Sequence, residues 1–320
     1  MPPMIEQSGI VFDASHGAPK ERVACFTSLC LLRSGAILCG FQLGPKKNSP
    51  DSTIGLCRSD DGGSSWRRIP VRWERQFNGV PGSLSSGEMV EAGPGRLLMF
   101  ATWFDRSDRS RPLFDPVTEG ILRSKQLVAE SNDDGVSWSA WRELPTLGLT
   151  GCAGTGPAWR LADGALVYPF ESFKEFDDPA PKAHAAWIVV SRDGGRSFSR
   201  PILMAQDPEQ KVYYWDQRLA PLNGGELAAL FWTHDLEQKR DLNVHLRRAT
   251  LDGDRLMLQP IRATTIPGQI AAPLSLGDGR LLAFVVDRNP PCTMKLWTSR
   301  DRGQTWPVAE CLTVYEHEEL

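Results

Sequence analysis

A short motif, Ser-x-Asp-x-Gly-x-x-Trp or Phe, occurs four times along the chain and constrains the fold more than any other feature. The copies begin at Ser59, Ser131, Ser191 and Ser299, and a degenerate copy covers residues 250–254. The Asp carboxylate can accept hydrogen bonds from neighbouring backbone N–H groups, and the Gly permits a positive φ. We therefore expect each copy to form a tight hairpin loop, with the aromatic ring packed under it and a structural rather than catalytic Asp.

A second pattern, a turn Gly followed by an apolar strand, recurs with nearly regular spacing. It starts at Gly35, Gly95, Gly164, Gly225 and Gly279, at intervals of 60, 69, 61 and 54 residues. Such intervals fit one four-stranded propeller blade with its loops. They predict an all-β fold, a six-bladed β-propeller formed by residues 1–320 as a single domain. Five blades would be contiguous, and segments 5–12 and 311–315 would pair into a sixth that closes the ring.

Composition narrows the class of protein. A net charge of −3 gives no reason to expect nucleic acid or a membrane surface as a partner, and no apolar run is long enough to span a bilayer. The N-terminus lacks the features of a signal peptide. The seven cysteines form no CxxC pair, so we expect reduced, mostly buried thiols and a cytoplasmic protein. The sequence implies no metal and no organic cofactor, and it leaves the oligomeric state open.

Aromatic and charged residues cluster in the segments that lead into and out of the predicted inner strands. Residues 212–218 (Val-Tyr-Tyr-Trp-Asp-Gln-Arg) are the densest example, and 103–106, 170–173, 231–235 and 286–288 are similar. In a propeller these segments meet at one mouth of the central channel. Aromatic faces beside charged groups suit a small carbohydrate. The candidate binding residues are Trp103, Arg106, Trp215, Arg218, Asp235, Gln269, Asp287 and Arg288. Each Trp could instead be a packing residue, and each Arg–Asp pair a surface ion pair.

The repeat covers almost the whole chain and resembles that of the sialidase-like superfamily, the neuraminidases and other BNR or Asp-box proteins. The resemblance implies the propeller fold and, less specifically, a glycosidase. In sialidases a Tyr assisted by a Glu is the nucleophile, a separate Asp is the acid/base, and three arginines bind the substrate carboxylate. Arg106, Arg218 and Arg288 could form such a grip, with Arg22 as a fourth candidate.

The chain departs from the sialidase pattern at two positions. Where sialidases carry Arg-Ile-Pro, residues 25–27 are Cys-Phe-Thr. Where they carry the nucleophilic Tyr, relative to a turn Gly, this chain has Asp216, with Tyr214 two residues earlier. We therefore expect a rebuilt pocket in which two carboxyl groups do the chemistry.

In that pocket Asp216 would be the nucleophile or base, and Glu88 or Asp51 the acid. His234 is a further candidate general acid/base, and Tyr214 a further catalytic candidate. The first function we expect is exo-acting hydrolysis of a glycoside of an acidic sugar. A lyase acting on uronate sugars, or another glycosidase of this fold, is the second. The third is a non-catalytic propeller that binds carbohydrate or protein.

Overall fold

The computed structural model describes residues 4–181, 183–253 and 255–318. Within these residues the strands form five antiparallel sheets of four to six strands, arranged as the blades of a propeller. Three short 3-10 segments, Pro19–Glu21, Asn223–Gly225 and Val308–Glu310, lie between strands. No helix in the described ranges is long and apolar enough to cross a membrane. The all-β propeller predicted from the sequence is confirmed.

The strands follow the chain blade by blade. The first blade contains β1 (Val23–Leu31), β2 (Ile37–Gly44), β3 (Thr53–Ser59) and β4 (Arg67–Arg68). The second contains β5 (Gln76–Phe77), β6 (Val80–Gly93), β7 (Arg96–Asp105), β8 (Ser124–Ser131) and β9 (Arg142–Glu143). The third contains β10 (Gly151–Gly154), β11 (Trp159–Arg160), β12 (Leu166–Phe173), β13 (His184–Ser191) and β14 (Ile202–Ala205).

The last two blades complete the chain. The fourth contains β15 (Val212–Pro221), β16 (Glu226–Asp235), β17 (Arg240–Asp241), β18 (His245–Asp252), β19 (Arg255–Leu258) and β20 (Arg262–Ala263). The fifth contains β21 (Ile270–Ser275), β22 (Leu281–Asp287), β23 (Cys292–Ser299) and β24 (Cys311–His317). One strand of each blade, β1, β6, β10, β15 and β21 in turn, contributes residues to a central cavity.

A glycine with positive φ begins the second main strand of every blade. The φ angles are 88° at Gly35, 70° at Gly95, 87° at Gly164, 76° at Gly225 and 92° at Gly279. This left-handed backbone costs an L-residue with a side chain roughly 1–2 kcal/mol, which explains why glycine recurs there.

The Ser-x-Asp-x-Gly loops lie farther out, where β3, β8, β13 and β23 end. In the first loop Ser65 N donates to Asp61 Oδ1 at 2.9 Å, and Gly63 N donates to Ser59 Oγ at 2.8 Å. Trp66 Nε1 donates to Gly63 O at 3.1 Å, which holds the ring under the loop. The loops after Ser131, Ser191 and Ser299 repeat the Ser and Asp bonds. Asp254 of the degenerate copy lies outside the described residues.

The predicted sixth blade is wrong. Residues 5–12 contain no strand. Val11 and Phe12 instead pack against the face of the first blade formed by Cys39, Phe41 and Leu43. The last strand, Cys311–His317, pairs with β23 and is the outer strand of the fifth blade. With this strand the fifth blade has four strands, whereas β21, β22 and β23 alone would form a sheet of three. The number of turn glycines, five, therefore equals the number of blades that the described residues form.

Hydrophobic clusters join consecutive blades. Leu38 and Met99 lie in the cluster between the first and second blades, and Phe100 and Tyr168 in that between the second and third. Two further clusters join the third blade to the fourth and the fourth to the fifth. Among the described residues the extensive strand packing that joins each blade to the next does not continue from the fifth blade to the first. This leaves an opening in the packing of the ring between its first and last blades.

The two sheet faces at this opening are apolar and partly uncovered. Leu29 and Leu31 of β1 are 60% and 70% exposed. Their neighbour Cys30 points the other way, into the cluster with the second blade. On the fifth blade, Phe284 and Met294 are each 37% exposed. At the opening, large apolar side chains are therefore exposed to solvent. Between neighbouring blades, such side chains are buried.

Candidate functional site

A cavity of about 470 Å³ lies at one end of the blades' inner strands and is lined by residues of all five blades. Phe26 comes from the first blade, Glu88 from the second, Glu171 from the third, Asp216 from the fourth and Arg288 from the fifth. A lining of this kind, with aromatic walls and a few converging charges, is typical of a small-molecule site.

Three of the inner strands carry a β-bulge where they reach the cavity. The pairing register shifts between Cys25 and Ser28, between Ser85 and Glu88, and between Trp215 and Arg218. Each bulge contains a non-glycine residue with positive φ: Phe26 at 55°, Ser86 at 64° and Asp216 at 47°. A bulge adds one residue to a strand and re-aims its side chain. These three residues all line the cavity.

Three carboxyl groups and one guanidinium meet at the cavity floor. Burial raises the pKa of Glu88, and the neighbouring Asp216 carboxylate raises it further, against the opposing charge of Arg218. Burial also raises the pKa of Glu171 well above its ordinary value, again with a contribution from Asp216. The two glutamates thus favour the protonated form.

Several buried polar atoms of the lining residues have no hydrogen-bond partner among the described residues. They are Thr155 Oγ1, Trp215 Nε1 and Arg218 Nε. A buried donor or acceptor without a partner costs about 1–3 kcal/mol. A polar ligand in the cavity would supply partners, so binding would relieve this cost.

Aromatic rings form the walls. Trp215 and Trp232 meet edge to face with centroids 4.8 Å apart, and Tyr213 lies 5.3 Å from Trp215. The Arg288 guanidinium lies over the Trp232 ring at 5.0 Å, and Lys47 Nζ lies 5.2 Å from the centre of the Phe26 ring. The walls therefore combine flat apolar faces with cations.

Two predicted residues form a layer behind these walls. His234 stacks on Trp215 with centroids 5.2 Å apart, and its Nδ1 lies 2.7 Å from Asp241 Oδ1. Gln269 donates from Nε2 to Asp241 Oδ2 at 3.0 Å, and its Oε1 accepts from Arg288 N at 2.7 Å. Both thus support lining residues rather than line the cavity themselves. Asp241 thus links His234 and Gln269, since its carboxylate contacts both side chains.

Other predicted residues lie away from the cavity. Arg106 is 1% exposed and donates to Ser83 Oγ and to the carbonyls of Asn48 and Arg111. Only two of the four arginines proposed for a grip, Arg218 and Arg288, line the cavity. Arg22 donates to Ser15 O at 2.6 Å.

The remaining candidates also make local contacts elsewhere. Asp51 accepts both bonds from Arg109 Nη2 at 2.8 Å. Trp103 Nε1 donates to Arg75 O, and Tyr214 packs against Phe231 and His245. Asp235 and Asp287 accept backbone N–H groups of the turns that follow them. None of these five lines the cavity.

Sequence reasoning did not single out Glu171 or its partner His184, although residues 170–173 were expected at the channel mouth. Glu171 Oε2 lies 3.1 Å from His184 Nε2, and both side chains are buried. The signal was a carboxylate within an otherwise apolar strand. The described residues contain no group of three His, Cys, Asp or Glu side chains able to hold a metal, and their seven cysteines are free thiols.

Comparison with known proteins places the fold. No protein-family model matches the chain. A sialidase of Bacteroides fragilis (strain YCH46) is 27% identical over 165 residues, which are 45% of this chain and 28% of that protein. The match thus spans less than a third of the relative's length.

Solved structures with the same fold cover nearly the whole chain. A Hadza microbial sialidase has a TM-score of 0.71 at 16% identity, over 93% of this chain and 60% of that one. The leech intramolecular trans-sialidase, solved with 2,7-anhydro-Neu5Ac, has a TM-score of 0.65 at 11% identity, over 99% and 64%. A Penicillium chrysogenum α-L-arabinanase with arabinobiose has 0.61 at 14%, over 92% and 83%. The resemblance to the sialidase-like superfamily is confirmed.

Proposed function

We propose that this chain is a sialidase-like glycoside hydrolase that cleaves glycosides of an acidic sugar, with Asp216 as nucleophile or base and Glu88 as acid. One observation carries the proposal: Glu88 and Asp216 line the same cavity, and burial raises the pKa of Glu88, with a smaller contribution from Asp216. Glycosidases need two such carboxyl groups whose environments separate their protonation states.

The chemistry follows from this separation. The protonated Glu88 would donate its proton to the oxygen of the leaving group as the glycosidic bond breaks. Asp216 would attack the sugar carbon, or activate the water that does so. Arg218 opposes the rise in the pKa of Glu88, which favours release of the proton.

The cations of the cavity favour an acidic sugar. Arg218, Arg288, Lys47 and Lys174 all line it, and a guanidinium binds a carboxylate with two charge-assisted bonds. Residues 25–27, where sialidases carry Arg-Ile-Pro, contain no arginine in this chain. The substrate carboxylate would therefore be bound by two arginines and the lysines, with the sugar ring against Trp215 or Trp232.

The test is turnover of aryl glycosides of sialic acid, glucuronic acid and neutral sugars. We expect hydrolysis of an acidic glycoside, and Asp216→Asn should lower kcat by about 10³-fold or more with the fold intact. Glu316→Gln, an exposed carboxyl on β24, is the control and should keep wild-type activity.

Three results would contradict the proposal. An unsaturated uronate product would identify a lyase. Sugar binding without turnover by the wild-type protein would identify a binding propeller. Near-wild-type activity of Asp216→Asn would remove Asp216 from the mechanism.

A further inference from the structure

The bulge that carries Asp216 is fixed by the neighbouring blade rather than by its own sheet. Gln217, the other residue of the bulge, is fully buried. Its Nε2 donates to Phe170 O at 3.0 Å and to Trp187 O at 2.6 Å. Its backbone N donates to Glu171 Oε1 at 3.3 Å. The third blade therefore binds both the side chain and the main chain of this bulge.

Glu171 is in turn held by His184. The two residues lie on the adjacent strands β12 and β13, and Glu171 Oε2 is 3.1 Å from His184 Nε2. Burial lowers the pKa of His184 to about 3, so the imidazole is neutral near pH 7. The ring of His184 is packed between Phe173 at 5.1 Å and Tyr213 at 5.0 Å. This packing gives Glu171 a single well-defined position.

Asp216 needs such support because its conformation is unfavourable. A non-glycine residue with φ of 47° costs roughly 1–2 kcal/mol. If the bulge relaxed, the strand would slip by one residue, and a slip of one residue turns each side chain to the other face of the sheet. Asp216 would then leave the cavity floor.

We propose that Glu171 and His184 are positioning residues, which hold the β15 bulge from the third blade and so fix the Asp216 carboxylate in the cavity. The inference rests on the proposed role of Asp216 in glycoside hydrolysis. Both Glu171 oxygens already have partners, Gln217 N and His184 Nε2.

The test compares three substitutions of Glu171. Glu171→Gln keeps an oxygen for Gln217 N and gains an N–H donor for His184 Nε2, so kcat should stay within about threefold of wild type. Glu171→Leu removes both bonds and Glu171→Asp shortens the reach. Each should lower kcat by about 10²-fold with a smaller change in KM, because a misplaced catalytic group costs about that much.

This order is the reverse of that expected for a catalytic carboxyl group, for which Asp keeps more activity than Gln. Glu226→Gln is the matched control. Glu226 is a buried carboxyl of the fourth blade paired with Arg248 and Arg302 outside the cavity, and its variant should keep wild-type kcat. Equal loss in Glu171→Gln and Glu171→Leu would overturn the inference.

Crystal structures of the Glu171→Gln and Glu171→Asp variants provide a readout that does not depend on turnover. The bulge between Trp215 and Arg218 should persist in the Gln variant and relax in the Asp variant. An unchanged bulge in the Asp variant would refute the anchoring role. If the wild-type protein hydrolyses no glycoside, the proposed function fails, while these structures still decide whether Glu171 positions Asp216.

Discussion

Glu88 occupies the environment that an acid catalyst requires. It is 3% exposed, and its pKa is raised by burial and by Asp216, while Arg218 limits the rise. Since activity needs the protonated form of this group, kcat/KM should fall as pH rises through its raised pKa. The proposed activity thus depends on three side chains that line one cavity, those of Glu88, Asp216 and Arg218.

A test of Glu88 uses the leaving group. Glu88→Gln should lower kcat/KM by about 10²–10⁴-fold for substrates whose leaving group needs a proton. The loss should be far smaller for an aryl glycoside with a strongly acidic phenol, because that group departs without protonation. The measurement is kcat/KM for a series of phenols, with Glu316→Gln as the control. A loss independent of the phenol would show that Glu88 is not the acid.

Single residues also show where sequence reasoning fails. Asp216, Arg218 and Arg288 were predicted from local clusters of aromatic and charged residues, and all three line the cavity. Arg106 sits in an equally suggestive segment, but carbonyls of Asn48 and Arg111 bind its guanidinium. The composition of residues 103–106 does not indicate that these carbonyls bind Arg106. The importance of Glu171 depends on a contact with the next blade, which no local pattern encodes.

At the scale of elements, the loops and turns follow local chemistry and could be predicted. The Ser-x-Asp-x-Gly loops form because each Asp accepts bonds from nearby hydroxyl and N–H groups, and these bonds lower the pKa of Asp61 and Asp133 to about 2. The bulges could not be predicted, because the partners that fix them belong to other strands. The type of each element could therefore be predicted from the sequence, whereas the bulges that shape the site could not.

The loops predict an acid-dependent stability. Because the folded-state pKa of Asp133 is lowered to about 2 from an ordinary value near 3.9, its contribution to stability is full above about pH 4 and is lost as pH falls towards 2. Asp133→Ala should lower the free energy of unfolding by about 1 kcal/mol at neutral pH. The difference from wild type should shrink at low pH. Thermal unfolding from neutral pH to about pH 2 measures both effects, and a constant difference would contradict them.

At the scale of the molecule, the five blades form a row in which each packs on the next, and among the described residues no extensive strand packing joins the last blade to the first. The sixth blade was expected because pairing of segments 5–12 and 311–315 would remove the exposed sheet edges of an open ring. In the structure these segments do not pair, and two apolar sheet faces are partly exposed. Leu31 and Phe284 lie on these faces. The expectation failed because the chain uses its last strand, Cys311–His317, to complete the fifth blade.

A row of blades should unfold from its ends. When each unit contacts only its neighbours, the terminal units lose one stabilising interface and open most readily. We expect backbone amides of β2 and β22 to exchange with solvent faster than those of β7, β12 and β16. Hydrogen exchange measured by mass spectrometry would show this gradient. Uniform protection across all five blades would indicate that the ring closes in solution.

The cavity spans the gap between the ends of this row, with Phe26 and Lys47 on one side and Ile270 and Arg288 on the other. A sugar that contacts both sides would link the first and fifth blades. Part of its binding free energy would then offset the loss of motion at the two ends. Affinity would therefore depend on the stiffness of the whole row, so that substitutions on distant blade interfaces could change it without touching the ligand.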